Sequence, residues 1–232
     1  MQDLISNSLR GSVTSIMNVL LLFTLAKSKY GIRSTLLIAV SFFIINVAST
    51  FWFYMFGDLT GLSRFNIVMF IVLGICLKPL SKTGVMQWSF NFLTTVNIMM
   101  MIIILSFHLG KLFPYPQYAH TLIRLFLYLL TLFSFQRYLL PFYNAFTNNW
   151  RIFSLLVIRI FLNLGYYFYV TADIENTLLS AKWPLLLLVM LSLAAYGTVF
   201  YSLRRLTAMH ALETEHLQNQ MSGRFSLKQR LP

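Results

Sequence analysis

The sequence predicts an all-α fold, a polytopic transmembrane helix bundle of about seven spans with a short C-terminal cytoplasmic helix. Composition is the first reason: 58% of residues are hydrophobic and only 10% charged, against roughly 25% charged in a soluble domain, which could not bury so much apolar surface. Second, apolar stretches recur between short loops at about the 17 to 25 residues a bilayer crossing needs. Third, the 18 Lys and Arg residues behind the net charge of +12 lie in small groups at the ends of those stretches. Dispersed basic residues of this kind are what the positive-inside rule leaves, whereas a phosphate-binding face would gather them, so nucleic acid is not an expected partner.

The spans follow in order. The first runs from about Val13 to Ala26, reaching back towards Leu4 if Arg10 meets the interface. MQDLISNSLRGS before it carries Asp3 and no basic n-region, which predicts a retained span rather than a cleaved signal peptide. A second span covers about Thr35 to Phe56 and ends at the turn-forming GDLTGLS; a short third runs from Phe65 to Leu77 and stops at Lys78-Pro79. The fourth, about Val85 to Leu109, is continuous, and the two prolines of KLFPYPQYAH break the chain after it. The fifth (Tyr118 to Leu139), sixth (Ile152 to Val170) and seventh (Leu185 to Leu203) complete the bundle.

Loop charge then sets orientation. Lys27, Lys29, Arg33, Lys78, Lys82, Arg137, Arg151, Arg204 and Arg205 fall on one side, expected to be cytoplasmic; Arg10, Arg64, Lys111, Arg124 and Lys182 fall on the other. The N-terminus is then outside and the C-terminus inside a multi-pass protein of the cell membrane, with Asp58, Asp173 and Glu175 in outer loops. Trp52, Trp88, Tyr115, Tyr118, Tyr138, Tyr143, Trp150 and Trp183 stand near span ends, as interfacial aromatics do.

Few residues could carry chemistry. Arg159 lies near the middle of the sixth span, where an Arg costs about 2.5 to 3.5 kcal/mol. It reads either as a cation awaiting a carboxylate or as a side chain snorkelling to the interface. Asn91, Asn97 and Asn163 are expected to hydrogen-bond between helices; six residues separate Asn91 from Asn97, so those two do not share a face. No span contains Asp or Glu, which counts against proton-coupled transport and aspartyl proteolysis. The histidines, His108, His120, His210 and His216, lack metal-site spacing. The single cysteine, Cys76, excludes an intramolecular disulfide and reads as a small buried hydrophobe. No catalytic residue, metal or cofactor is expected.

The chain divides into a transmembrane bundle (1–203), a signalling helix (204–222) and a disordered basic tail (223–232) that begins at Gly223. Leu203, Leu206, Met209, Leu212, Leu217 and Met221 recur at helical spacing, as in the start of a dimeric coiled coil. With its Phe-, Leu- and Ile-rich spans, short loops and a last span continuing through Arg204-Arg205 into ALETEHLQNQ, the chain resembles the N-terminal sensor region of GHKL-type, AgrC-like bacterial histidine kinases. That resemblance implies a homodimer that binds an extracellular peptide or small ligand and moves a dimerisation helix. His210 precedes Ala and His216 precedes Leu, so neither fits the family's phosphoacceptor pattern, and the ATP-binding motifs are missing. This chain is therefore expected not to be an enzyme by itself. The expected function is a membrane sensor domain, whose candidate ligand contacts are Arg159, Asp58, Asp173 and Glu175; the alternative is a transporter or transporter subunit.

Overall fold

The computed structural model describes residues 2–26, 28–56, 65, 69, 71–140, 143, 150–169 and 174–228. Among these no strand forms, and the helices are α1 (Gln2–Leu25), α2 (Ile32–Met55), α3 (Ile71–Leu80), α4 (Val85–Gly110), α5 (Pro116–Ser134), α6 (Trp150–Tyr169), α7 (Ile174–Ser180) and α8 (Lys182–Lys228). Six are long and apolar enough to cross a membrane. The expected third span lies partly outside the described residues; within them α3 is apolar but shorter than a crossing. A bilayer core forces this all-helical solution, because a helix satisfies its backbone polar groups within one segment.

The first span begins at Ile5, so Arg10 is inside it rather than at its edge. At the end of α5 the helix widens into a π-turn, Phe135–Leu139, shortly before Pro141, which has no N–H to offer the ladder. The last helix does not stop at Gly223 but continues to Lys228; a helical glycine costs only about 1 kcal/mol against Ala.

The centre of the bundle is α4. In its most apolar stretch 61% of residues are buried, against 11% for α2, which faces outward over most of its surface. Around α4 pack α1, α5, α6 and α8. Their shared core includes Ile104, Tyr128, Val157, Leu164, Leu185 and Val189. A smaller cluster, Val19, Leu22, Ala39, Leu73, Leu77 and Trp88, joins α1, α2 and α3 to the start of α4.

Two contacts fix which loops share an end. The amide of Lys29 donates to the Leu80 carbonyl at 2.7 Å, so the α1–α2 and α3–α4 loops meet. At the opposite end Ser6 Oγ donates to the Gln117 carbonyl, tying the start of α1 to the start of α5. These pairings agree with the alternation expected from the charges.

Aromatic side chains divide between rim and interior. Trp52, Tyr115, Tyr118, Tyr138 and Trp183 are exposed, as interfacial residues should be. Trp88 and Tyr143 are instead buried, each because its polar tip finds a partner inside: the Trp88 indole donates to the Gly74 carbonyl at 2.8 Å, and the Tyr143 hydroxyl donates to Asn91 Oδ1 at 2.8 Å. Cys76, expected to be buried, is exposed on the outer face of α3.

Helix approach is closest where α4 meets α5. A Cβ on Gly110 would lie 1.9 Å from the His120 ring, so only glycine admits that ring. Gly110→Ala should lower the thermal unfolding temperature in detergent by the equivalent of about 1 to 3 kcal/mol. Adding His120→Ala should recover most of the loss, and equal stability of Gly110→Ala and the parent would contradict the packing.

Candidate functional site

A polar seam runs along the α1–α5 contact and touches α4. On α1, Ser6, Arg10, Thr14 and Asn18 recur every fourth residue and so lie on one face. On α5, Gln117, Thr121, Arg124 and Tyr128 are spaced by four, three and four, and form the matching face. Ser6 bonds to the Gln117 carbonyl, Thr14 to Arg124 and Asn18 to Tyr128, so three of the four positions on each helix meet across the seam.

Arg124 is the central residue, only 7% exposed. Its Nε donates to Ser106 Oγ of α4 at 3.2 Å and its Nη1 to Thr14 Oγ1 at 3.0 Å. Among the described residues it meets no carboxylate, although the guanidinium offers five N–H donors in a fixed fork. Both hydroxyls that receive it already donate to carbonyls of their own helices, Thr14 to Arg10 and Ser106 to Ile103. They would therefore be satisfied without Arg124. One turn along, the Tyr128 hydroxyl donates to Asn18 Oδ1 at 2.7 Å with both side chains buried.

On the same seam stands His120, 4% exposed, its ring 5.2 Å from that of Phe107 and its Nε2 without a hydrogen-bond partner among the described residues. The buried Thr121 hydroxyl and His108 Nε2 are likewise unpartnered. Arg10 and Lys111 stand within electrostatic reach of His120, and Lys111 and Lys182 within reach of His108. The end of the bundle that collects Arg10, Lys111, Arg124 and Lys182 is thus strongly cationic, and its interior holds unused donors and acceptors. Such a site is suited to an anionic group, a carboxylate above all, which could accept from Arg124 in bidentate geometry.

A second polar network sits deeper, around α4. Asn97 Nδ2 donates to the Val157 carbonyl of α6 at 2.9 Å and to the Tyr196 hydroxyl of α8 at 3.1 Å, while Asn91 accepts from Tyr143. Asn91 and Asn97 thus act as interhelical ties with different partners. Asn163 is exposed on α6 and, among the described residues, takes part in neither network.

Arg159 is also exposed on α6, so among the described residues the buried arginine is Arg124. Asp58 and Asp173 lie outside the described residues, and Glu175 falls on α7, with its side chain outside the described set. None of the four expected ligand contacts therefore belongs to the seam as described. The seam was signalled in the sequence by the four-residue recurrence of polar residues in the first span. Hydropathy hides that recurrence because Ser and Thr barely lower a span's average.

Because Ser106 and Thr14 keep other partners, Arg124→Leu should leave the thermal unfolding temperature unchanged or raise it, since a well-packed apolar replacement removes the cost of a buried ion. Tyr128→Phe should lower it by about 1 kcal/mol, as it leaves Asn18 without its donor. A large loss in Arg124→Leu would make that arginine a structural tie instead. The long apolar helices establish a multi-pass membrane protein; no protein-family model matches the chain, and neither does a curated protein or a solved structure.

Proposed function

We propose that the chain is a membrane sensor domain that receives an extracellular peptide or small ligand and relays its binding to a cytoplasmic helix, in the manner of a two-component receptor. The observation that carries this reading is α8. It spans 47 residues without interruption, about 70 Å at 1.5 Å per residue, roughly twice a bilayer core. Its first half is the span Lys182–Arg205, which packs on α4 and α6. A helix that continues unbroken past the membrane passes any rotation or shift of its span to whatever follows.

The excess of Lys and Arg around Lys29, Lys78, Lys82, Arg204 and Arg205 supports placing the emergent part of α8 in the cytoplasm. The cationic end with Arg124 and His120 is then extracellular and would receive an acidic group of the ligand. Two copies would pair through the apolar positions between Leu206 and Met221, forming a homodimer whose helix crossing changes on binding. Arg124 could equally serve an anion path in a transporter, but such a protein gains nothing from the long rigid extension of α8.

The two readings separate when the chain is fused, after Met221, to the catalytic transmitter of a histidine kinase. Inserting one to four residues at the junction rotates the output by about 100° per residue. The sensor reading predicts autophosphorylation in membranes that rises and falls with the helical repeat. A response that does not vary with phase would contradict a relay through α8.

A further inference from the structure

The two sides of α6 differ sharply. Val157, Ile160 and Leu164 are buried against the bundle, whereas Leu155, Leu162 and Tyr166 are 60% or more exposed. Arg159 and Asn163, one turn apart, are exposed on that outward side. Arg159 is the tenth of the 20 residues of α6, about 14 Å from either end. That distance exceeds the reach of an arginine side chain, so snorkelling cannot bring the guanidinium fully into the headgroups. Among the described residues Arg159 makes no hydrogen bond and no ion pair.

A charge in this position costs about 2.5 to 3.5 kcal/mol on insertion scales and is offset where a carboxylate meets it. This chain supplies none. All six of its acidic residues, Asp3, Asp58, Asp173, Glu175, Glu213 and Glu215, lie outside the six long spans. A second copy brings the same spans and the same lack of a mid-membrane carboxylate, so pairing this face between copies would add positive charge without neutralising it. Charge complementarity therefore requires a different chain.

We infer that the outer face of α6, centred on Arg159 and Asn163, docks a membrane-spanning helix of another protein that carries an Asp or Glu at mid-membrane depth. The Arg159 fork pairs with both carboxylate oxygens, and the Asn163 amide donates to the same group from the next turn. Leu155, Leu162 and Tyr166 pack around that contact and exclude lipid from it.

The test uses the full chain, donor-labelled, in phosphatidylcholine vesicles, and a synthetic Leu-rich transmembrane peptide with one central Asp and an acceptor label. Saturable energy transfer is expected, weakened about tenfold or more by Arg159→Leu or by replacing the peptide's Asp with Leu. Arg159→Asp paired with a central-Lys peptide should restore it. Arg159→Gln, with unchanged thermal unfolding, guards against a folding defect. No transfer, or transfer indifferent to Arg159 and to the acid, would overturn the proposal. So would Arg159-dependent transfer between two labelled copies of the chain in the absence of peptide, because that outcome assigns the face to self-association.

Discussion

Inside a bilayer the hydrophobic effect gives no reason for one apolar helix to prefer another helix over lipid, so polar contacts and close packing hold the bundle together. Everything in this molecule is arranged around that constraint. The most buried helix, α4, supplies Asn91 and Asn97 as ties to Tyr143, α6 and α8, and lends Ser106 to the α1–α5 seam. The glycines act in the same sense: Gly110 admits the His120 ring, and Gly74 admits Phe92 while presenting its carbonyl to Trp88. Each such interhelical bond is worth only about 0.6 kcal/mol on average, so stability comes from their number and from the packing they allow.

Against that background the two interior-depth arginines have different meanings. Arg124 is enclosed by hydroxyls that also donate to carbonyls of their own helices and so keep partners without it. Arg159 is turned outward with no partner among the described residues. The first belongs to the cationic end of the bundle with Arg10, Lys111 and Lys182, and the second to its flank. The shared element between them is α4, which contacts both α5 and α6.

The positions of the spans were legible in the sequence because length and apolarity are properties of a segment alone. The fourth span begins at Val85, where hydropathy places it, and the last helix begins at Lys182, three residues before the Leu185 that hydropathy gives. Facing was not legible, since lipid and protein core are equally apolar and a Leu serves either. Hence Trp88 and Tyr143 turn inward although they stand near span ends, Cys76 turns outward, and among the described residues Arg124 rather than Arg159 is the buried arginine. The one facing signal available was the polar recurrence Ser6, Arg10, Thr14, Asn18, and it does mark the α1 side of the seam.

A sensor reading stands on the path of the chain through the membrane, which single-cysteine labelling measures most directly. In a Cys76→Ser background, cysteines placed one at a time at Tyr30, Lys82, Leu112, Asn176 and Gln220 would be treated in intact cells with a membrane-impermeant maleimide. Labelling at Leu112 and Asn176, with Tyr30, Lys82 and Gln220 protected until the membrane is opened, is the predicted pattern. Labelling of Gln220 from outside would put the end of α8 on the ligand's side of the membrane and contradict the relay.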